Sequence, residues 1–150
     1  MKRLALLFTV LFCAVALVLV LPADVQAAKV IKMKIGHANR PDSPRDRGAK
    51  LFAKLIKERT GGRVEVKVFP SAQLGNNRQM VEQTQMGSLE CLIMPTAFFG
   101  GFNRMVTIVD LPFMFPSIEV FYKVANGPFG QELLKEVEKI KLVGLGYWTA

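Results

Sequence analysis

The chain has 150 residues, a formal net charge of +8, 51% apolar residues and a single histidine. That length suits about one domain with a core of its own. Its cations are scattered, with no basic block, zinc-finger spacing or aromatic–basic interleaving, so nucleic acid is excluded as a partner and attraction of a small anion is what remains of the charge.

Lys2 and Arg3 precede an apolar run over residues 4–21, then Pro22 and small residues ending at Ala27. These are the three regions of a secretory signal, with the cut expected after Ala27. The competing reading is an uncleaved anchor, making the protein a membrane-anchored interaction module, because the run approaches the roughly 18 residues of a spanning helix. Pro22, Ala27 and Ala28 and the absence of a following charge cluster favour cleavage. Residues 28–150 then form an exported domain with 18 Lys+Arg and 11 Asp+Glu. Cys13 leaves with the signal, and Phe12 before it does not suit lipid attachment. Cys91 stands alone among apolar neighbours and reads as a buried, inert thiol. An exported chain without an intrachain disulfide must rely on packing, which fits a bacterial periplasm.

Residues 30–36 read as a strand. Residues 37–44 are turn formers, and Ser43 followed by Pro44 is an N-cap with proline at the first helical position. Ala49, Phe52, Ala53, Leu55 and Ile56 then recur at helical spacing, with Lys50, Lys54 and Lys57 opposite, until Thr60-Gly61-Gly62 stops the helix. Val64, Val66 and Val68 alternate with Glu65 and Lys67 as a second strand. A turn-rich stretch leads to Asn76, which caps a helix predicted over residues 77–87. Residues 89–94 form a short apolar run typical of a buried parallel strand. A Gly- and Phe-rich loop over residues 95–104 follows. Ser117 caps a short helix to Ala125, a second helix is predicted over residues 129–139, and residues 141–147 read as a fourth strand.

Strands alternating with helices imply a parallel sheet, and such sheets gather ligands at the carboxyl ends of their strands. The loops leaving those ends begin near His37, Phe69 and Pro95, with Trp148 directly after the last predicted strand. There is no P-loop, no Gly-x-Ser-x-Gly, no dinucleotide fingerprint and no metal-ligand cluster. A nucleophilic pair of Cys91 and His37 lacks any local signature or orienting third group, and Asp42, Asp46 and Asp110 cannot be paired from sequence. Polar tips beside aromatic residues suit binding better than turnover.

Several strings occur in series: Lys34-Ile35-Gly36-His37-Ala38-Asn39, Thr60-Gly61-Gly62-Arg63-Val64-Glu65-Val66, Phe69-Pro70-Ser71-Ala72-Gln73-Leu74-Gly75-Asn76-Asn77-Arg78, Gln85-Met86-Gly87-Ser88-Leu89 and Leu111-Pro112-Phe113. The series resembles the extracytoplasmic solute-binding proteins of tripartite ATP-independent periplasmic (TRAP) transporters, of the C4-dicarboxylate-binding type. The resemblance implies an α/β fold, the first lobe of a two-lobed periplasmic binding protein with a mainly parallel sheet flanked by helices. It implies that residues 28–150 are that lobe, truncated before the second. It further implies capture of a small organic acid, delivery to membrane transporter subunits, and no catalysis, cofactor or metal. The arginine that clamps the ligand carboxylate in the family has no match here, since neither Arg78 nor Arg104 occupies its place. The ligand-facing candidates carried over are His37, Asn39, Asn77, Pro95 and Thr96, with Phe113 and Trp148 as weaker additions.

Overall fold

A computed structural model of the protein describes residues 29–147. The expected signal segment and Trp148 lie outside these residues.

Three parallel strands form one sheet in the order β2-β1-β3: β1 is Ile31–His37, β2 is Val64–Phe69 and β3 is Cys91–Ile93. The register sets Gly36 beside Phe69 on one flank and His37 beside Ile93 on the other. All three strands therefore release their chains at one edge of the sheet. The chain steps from β1 to β2 on one side and then crosses from β2 to β3 on the other side of β1. This is the reversal of strand order at which open α/β sheets form a crevice.

Two helices cover opposite faces of the sheet. Helix α1, Pro44–Arg59, starts at Ser43, whose side chain accepts from the Asp46 amide. It lies on the face of Ile35 and His37, to which it is bonded through Asp46. Helix α2, Asn77–Gln85, lies on the Gly36 face, where Met80 sits so close that a Cβ on Gly36 would stand 2.7 Å from its sulfur. Ile35, Ala49, Met80, Val81 and Leu89 are essentially inaccessible and form the centre of the core. The strand patterns explain the faces. In β2, Val64, Val66 and Val68 are half-buried while Glu65 and Lys67 are exposed, the alternation of a strand with one wet side.

The chain beyond β3 folds as 3₁₀ helices over Thr96–Gly101 and Arg104–Asp110, then helix α3, Ile118–Ala125, and helix α4, Pro128–Glu136. Val106, Val137 and Leu142 pack against Val81, which ties this segment to α2. Asn103 adds hydrogen bonds to the Glu136 carbonyl and carboxylate, at 2.9 and 3.1 Å.

Three sequence expectations change. The loop over residues 95–104 is ordered as 3₁₀ turns, because Pro95 starts and glycines permit tight i to i+3 bonding. The second helix ends at Glu136 and continues only as a 3₁₀ turn, Glu138–Ile140, which Lys141 terminates in the left-handed conformation at φ 61°. The fourth strand does not form among the described residues. Residues 142–147 are irregular: the Leu142 amide donates to Val137 and the Tyr147 hydroxyl to the Gly130 carbonyl, so the segment is fastened to α4 instead of the sheet. Val143 and Leu145, the alternate residues that suggested a strand, are 74% and 71% exposed. A strand pattern needs a neighbour to hydrogen-bond, and no sheet edge reaches this one.

Candidate functional site

The candidate site is a rim, built where β1, β2 and β3 end. Residues 38–43 leave β1, residues 70–76 leave β2 and lead into α2, and residues 94–96 leave β3. The first two loops are stapled by backbone: the Ser71 amide donates to the Asn39 carbonyl at 2.8 Å and the Ala72 amide to the His37 carbonyl at 3.1 Å. Ser71 and Ala72 reach those acceptors in the left-handed region, at φ 54° and 55°. For residues with a Cβ that conformation is unfavourable, so the staple is held at some cost to the backbone. The segment beyond the third loop meets α2: the Arg78 guanidinium lies over the Phe102 ring at 5.7 Å while bonding Glu82 at 3.0 Å.

Beneath the first loop sits a buried charge cluster. His37 and Asp46 are both inaccessible, with Nε2 of His37 3.2 Å from Oδ1 of Asp46. The other Asp46 oxygen accepts from the Asp42 amide at 2.8 Å and from the Lys50 ammonium at 2.8 Å. Lys50 also reaches Asp42 Oδ1 at 3.1 Å. Burial pushes the Asp46 carboxyl up, but Lys50, the Asp42 amide and His37 outweigh it, and it titrates below the ordinary carboxylate range. An ionised carboxylate only accepts, so Nε2 carries the proton and donates. Nδ1 is enclosed without a protein partner. Serving as acceptor to Asp42 and His37, Asp46 fixes both ends of the first loop.

Each predicted position can now be located. His37 lies inside the molecule, under the rim, with the Asp46 carboxylate as its side-chain partner. Asn39 is half-buried on the rim, its Oδ1 accepting from Arg45 at 3.1 Å. Asn77 opens α2, whose capping is done by Asn76 in a reciprocal bond with Gln79. Freed from capping, the Asn77 side-chain oxygen is enclosed and unpartnered. Pro95 and Thr96 follow β3, with the Thr96 hydroxyl donating to Asp110. Asn39, Pro95 and Thr96 thus follow strands at the carboxyl edge of the sheet, and Asn77 opens the helix after β2. Phe113 is fully exposed on a turn at φ 59°, three residues beyond Asp110.

Sequence reasoning missed Arg45, Asp46 and Asp110 as parts of this site. A signal for Asp46 was present: Ser43-Pro44-Arg45-Asp46 has the cap-to-acid spacing of a helix start. Nothing local marked Arg45 or Asp110. Cys91 is half-buried, and its thiol is bonded to neither His37 nor any other side chain. It sits opposite Ile35 in the register, two residues short of the His37 pair. Among the described residues no group of three His, Cys, Asp or Glu could hold a metal, and no helix is long and apolar enough to cross a membrane. Two concavities among the described residues lie mainly away from the strand-end loops. The larger, about 680 Å³, is on β1, β2 and α1, bordered by Lys32, Lys34, Lys57, Glu65 and Lys67.

The family of bacterial extracellular solute-binding proteins, family 7 (DctP), matches residues 35–150. The chain belongs to this family. It is similar to the C4-dicarboxylate-binding periplasmic protein DctP of Rhodobacter capsulatus, with 34% identity over 136 residues, 90% of this chain and 40% of that protein. A TRAP periplasmic solute binding protein from Sulfurospirillum deleyianum with bound succinate shares the fold at a TM-score of 0.75 and 34% identity, covering 81% of this chain and 39% of the other. One from a Polaromonas species, bound to D-erythronate, does so at a TM-score of 0.73 and 35% identity, covering 77% and 38%. The chain therefore spans two fifths or less of the length of these relatives.

Proposed function

We propose that this chain carries the first-lobe half of a ligand cleft in an extracytoplasmic solute-binding component of a TRAP-type transporter. In this reading the rim receives a small organic acid for uptake, residues 1–27 are a cleaved export signal, and residues 28–150 work in the periplasm. The loaded protein delivers its cargo to membrane subunits, and no bond is made or broken.

The observation that supports the reading most is the rim: Asn39 and Thr96 follow the ends of β1 and β3, and Asn77 opens the helix after β2, beside a reversal of strand order. Ligand sites of open α/β sheets form at such places, with a few placed polar groups. The start of α2 adds to this, since backbone amides at a helix N-terminus favour an anion. Asn39 and Asn77 are the residues given ligand contact, Pro95 and Thr96 shape the third side, and His37 supports the rim from below.

Titration of the purified chain with succinate, D-erythronate and other small acids, followed by proton–nitrogen correlation spectra, tests this. The expected result is saturable shifts at Ala38, Asn39, Ser71, Asn77 and Thr96. Spectra unmoved by every acid overturn the reading.

A further inference from the structure

Away from the strand-end loops, the register sets Lys32 beside Glu65 and Lys34 beside Lys67. Residues paired in register point to the same side of a sheet, as do residues two apart along a strand, so these four side chains share one face. Lys57 joins them from α1, its ammonium 2.8 Å from the Glu65 carboxylate. The group borders the concavity of about 680 Å³, which also has Val66 and Phe69 in its walls. That size suits a small ligand.

The charges there do not balance. Five lysines and one glutamate border the concavity. Lys57 pairs with Glu65, Lys54 with Glu58 at 3.8 Å and Lys34 with Glu90 at 4.0 Å. Neither Lys32 nor Lys67 forms an ion pair among the described residues, and Lys67 lies over the Phe69 ring at 5.1 Å. Hydrogen bonding and charge from Lys57, and then the charge of Lys32, hold the Glu65 carboxyl below its ordinary range, so Lys32 stands close to this group. Like charges set directly opposite each other on a sheet are destabilising, as Lys34 and Lys67 are. The Lys34 ammonium is drawn to the Ser88 carbonyl, to which it donates. Lys32 and Lys67 remain, diagonal across the two strands. A strand spacing of about 4.8 Å and a rise of about 3.3 Å per residue put their Cα atoms roughly 8 Å apart. One centre bearing two negative charges fits between two ammonium groups on flexible stems at that separation.

We propose that this face is an anion site separate from the rim, taking the phosphate of an organic phosphate monoester between Lys32 and Lys67. A carboxylate carries one charge, whereas a phosphate monoester carries nearly two at neutral pH on three acceptor oxygens. Lysine binds phosphate as a point charge and needs no bidentate geometry. Val66 and Phe69 receive the carbon body of the ester. A soluble ester and the headgroup of phosphatidic acid share this chemistry. The site is independent of the organic-acid reading of the rim.

Phenyl phosphate is titrated into the purified chain at low ionic strength and followed by proton–nitrogen correlation spectra. Saturable shifts are expected at residues 32–34 and 65–67, with benzoate binding there roughly tenfold or more weakly. The double variant Lys32→Gln, Lys67→Gln should lose about tenfold or more in affinity with unchanged circular dichroism, and Lys32→Arg, Lys67→Arg should keep it. Sedimentation with phosphatidic acid vesicles but not with phosphatidylcholine, lost in the glutamine variant, supports the lipid headgroup as source. Phenyl phosphate binding without sedimentation supports a soluble ester. Shifts that fail to saturate, equal affinity for benzoate, or undiminished affinity in the glutamine variant overturn the site, whatever the acids do at the rim.

Discussion

His37 Nε2 donates to Asp46 Oδ1 at 3.2 Å, and neither side chain reaches solvent. The pair couples the last residue of β1 to the first turn of α1, and the loop between them carries Asn39. A strand end and a helix start are thus held in one geometry by a single carboxylate.

Breaking that carboxylate should be costly. Asp46→Ala leaves His37 Nε2 and the Asp42 amide without their acceptor and Lys50 with Asp42 alone, and removing one partner of a buried pair typically costs about 3 kcal/mol. Urea unfolding at neutral pH measures the loss. Because the folded carboxyl titrates below its ordinary value, its contribution is complete above the unfolded value near pH ~4 and fades as pH falls towards the folded one. Original and Asp46→Asn stabilities should therefore converge in acid; a gap constant from pH 6 to pH 3 would contradict the assignment.

Asn76 caps α2 reciprocally with Gln79, its Oδ1 accepting from the Gln79 amide at 3.0 Å while its own amide donates to Gln79 Oε1 at 2.9 Å. Asn76→Ala should lower stability by about 1 kcal/mol. It should also speed hydrogen exchange at Gln79, in the first turn that bears Asn77. Unchanged exchange there would show that the cap does not hold the rim.

At Gly130 a Cβ would stand 1.8 Å from the Ala125 carbonyl oxygen. The obstacle is backbone and cannot rotate aside, so Gly130→Ala must separate α3 from α4. Overpacking of this kind costs typically 1–3 kcal/mol, and the upper end is expected. The Tyr147 hydroxyl bond to the Gly130 carbonyl should loosen with it, visible as a change in tyrosine near-ultraviolet dichroism.

Cys91 is half-buried and burial pushes its thiol up. Less thiolate at neutral pH and restricted access both slow attack. A disulfide-exchange reagent at pH 7.5 should label it roughly tenfold or more slowly in the native chain than in urea. Equal rates would place the thiol on the surface and reopen a reactive role.

Local elements were legible because their causes are local. Ser43-Pro44 starts α1, Asn76 caps α2 and Ser117 caps α3, each through a side chain accepting an amide three residues on. The valine alternation in β2 and the turn residues between elements are likewise read from near neighbours, and the strand–helix order implied the parallel sheet. The string Pro70-Ser71-Ala72-Gln73-Leu74-Gly75 carries the family resemblance in the sequence alone.

Other features depend on residues brought together from a distance. Residues 141–147 carry a strand's alternation, yet a strand exists only where an edge offers it hydrogen bonds, and this segment meets α4. His37 resembles a rim residue in sequence, but a carboxylate nine positions on draws it inside. Thr96 and Asp110 are fourteen residues apart with no motif between them. The chain by itself determined the elements and the edge at which they converge, because propensity and capping act over a few residues. Only the tertiary structure decided which polar groups face that edge and which support it, because burial and hydrogen-bond partners are settled when distant segments pack.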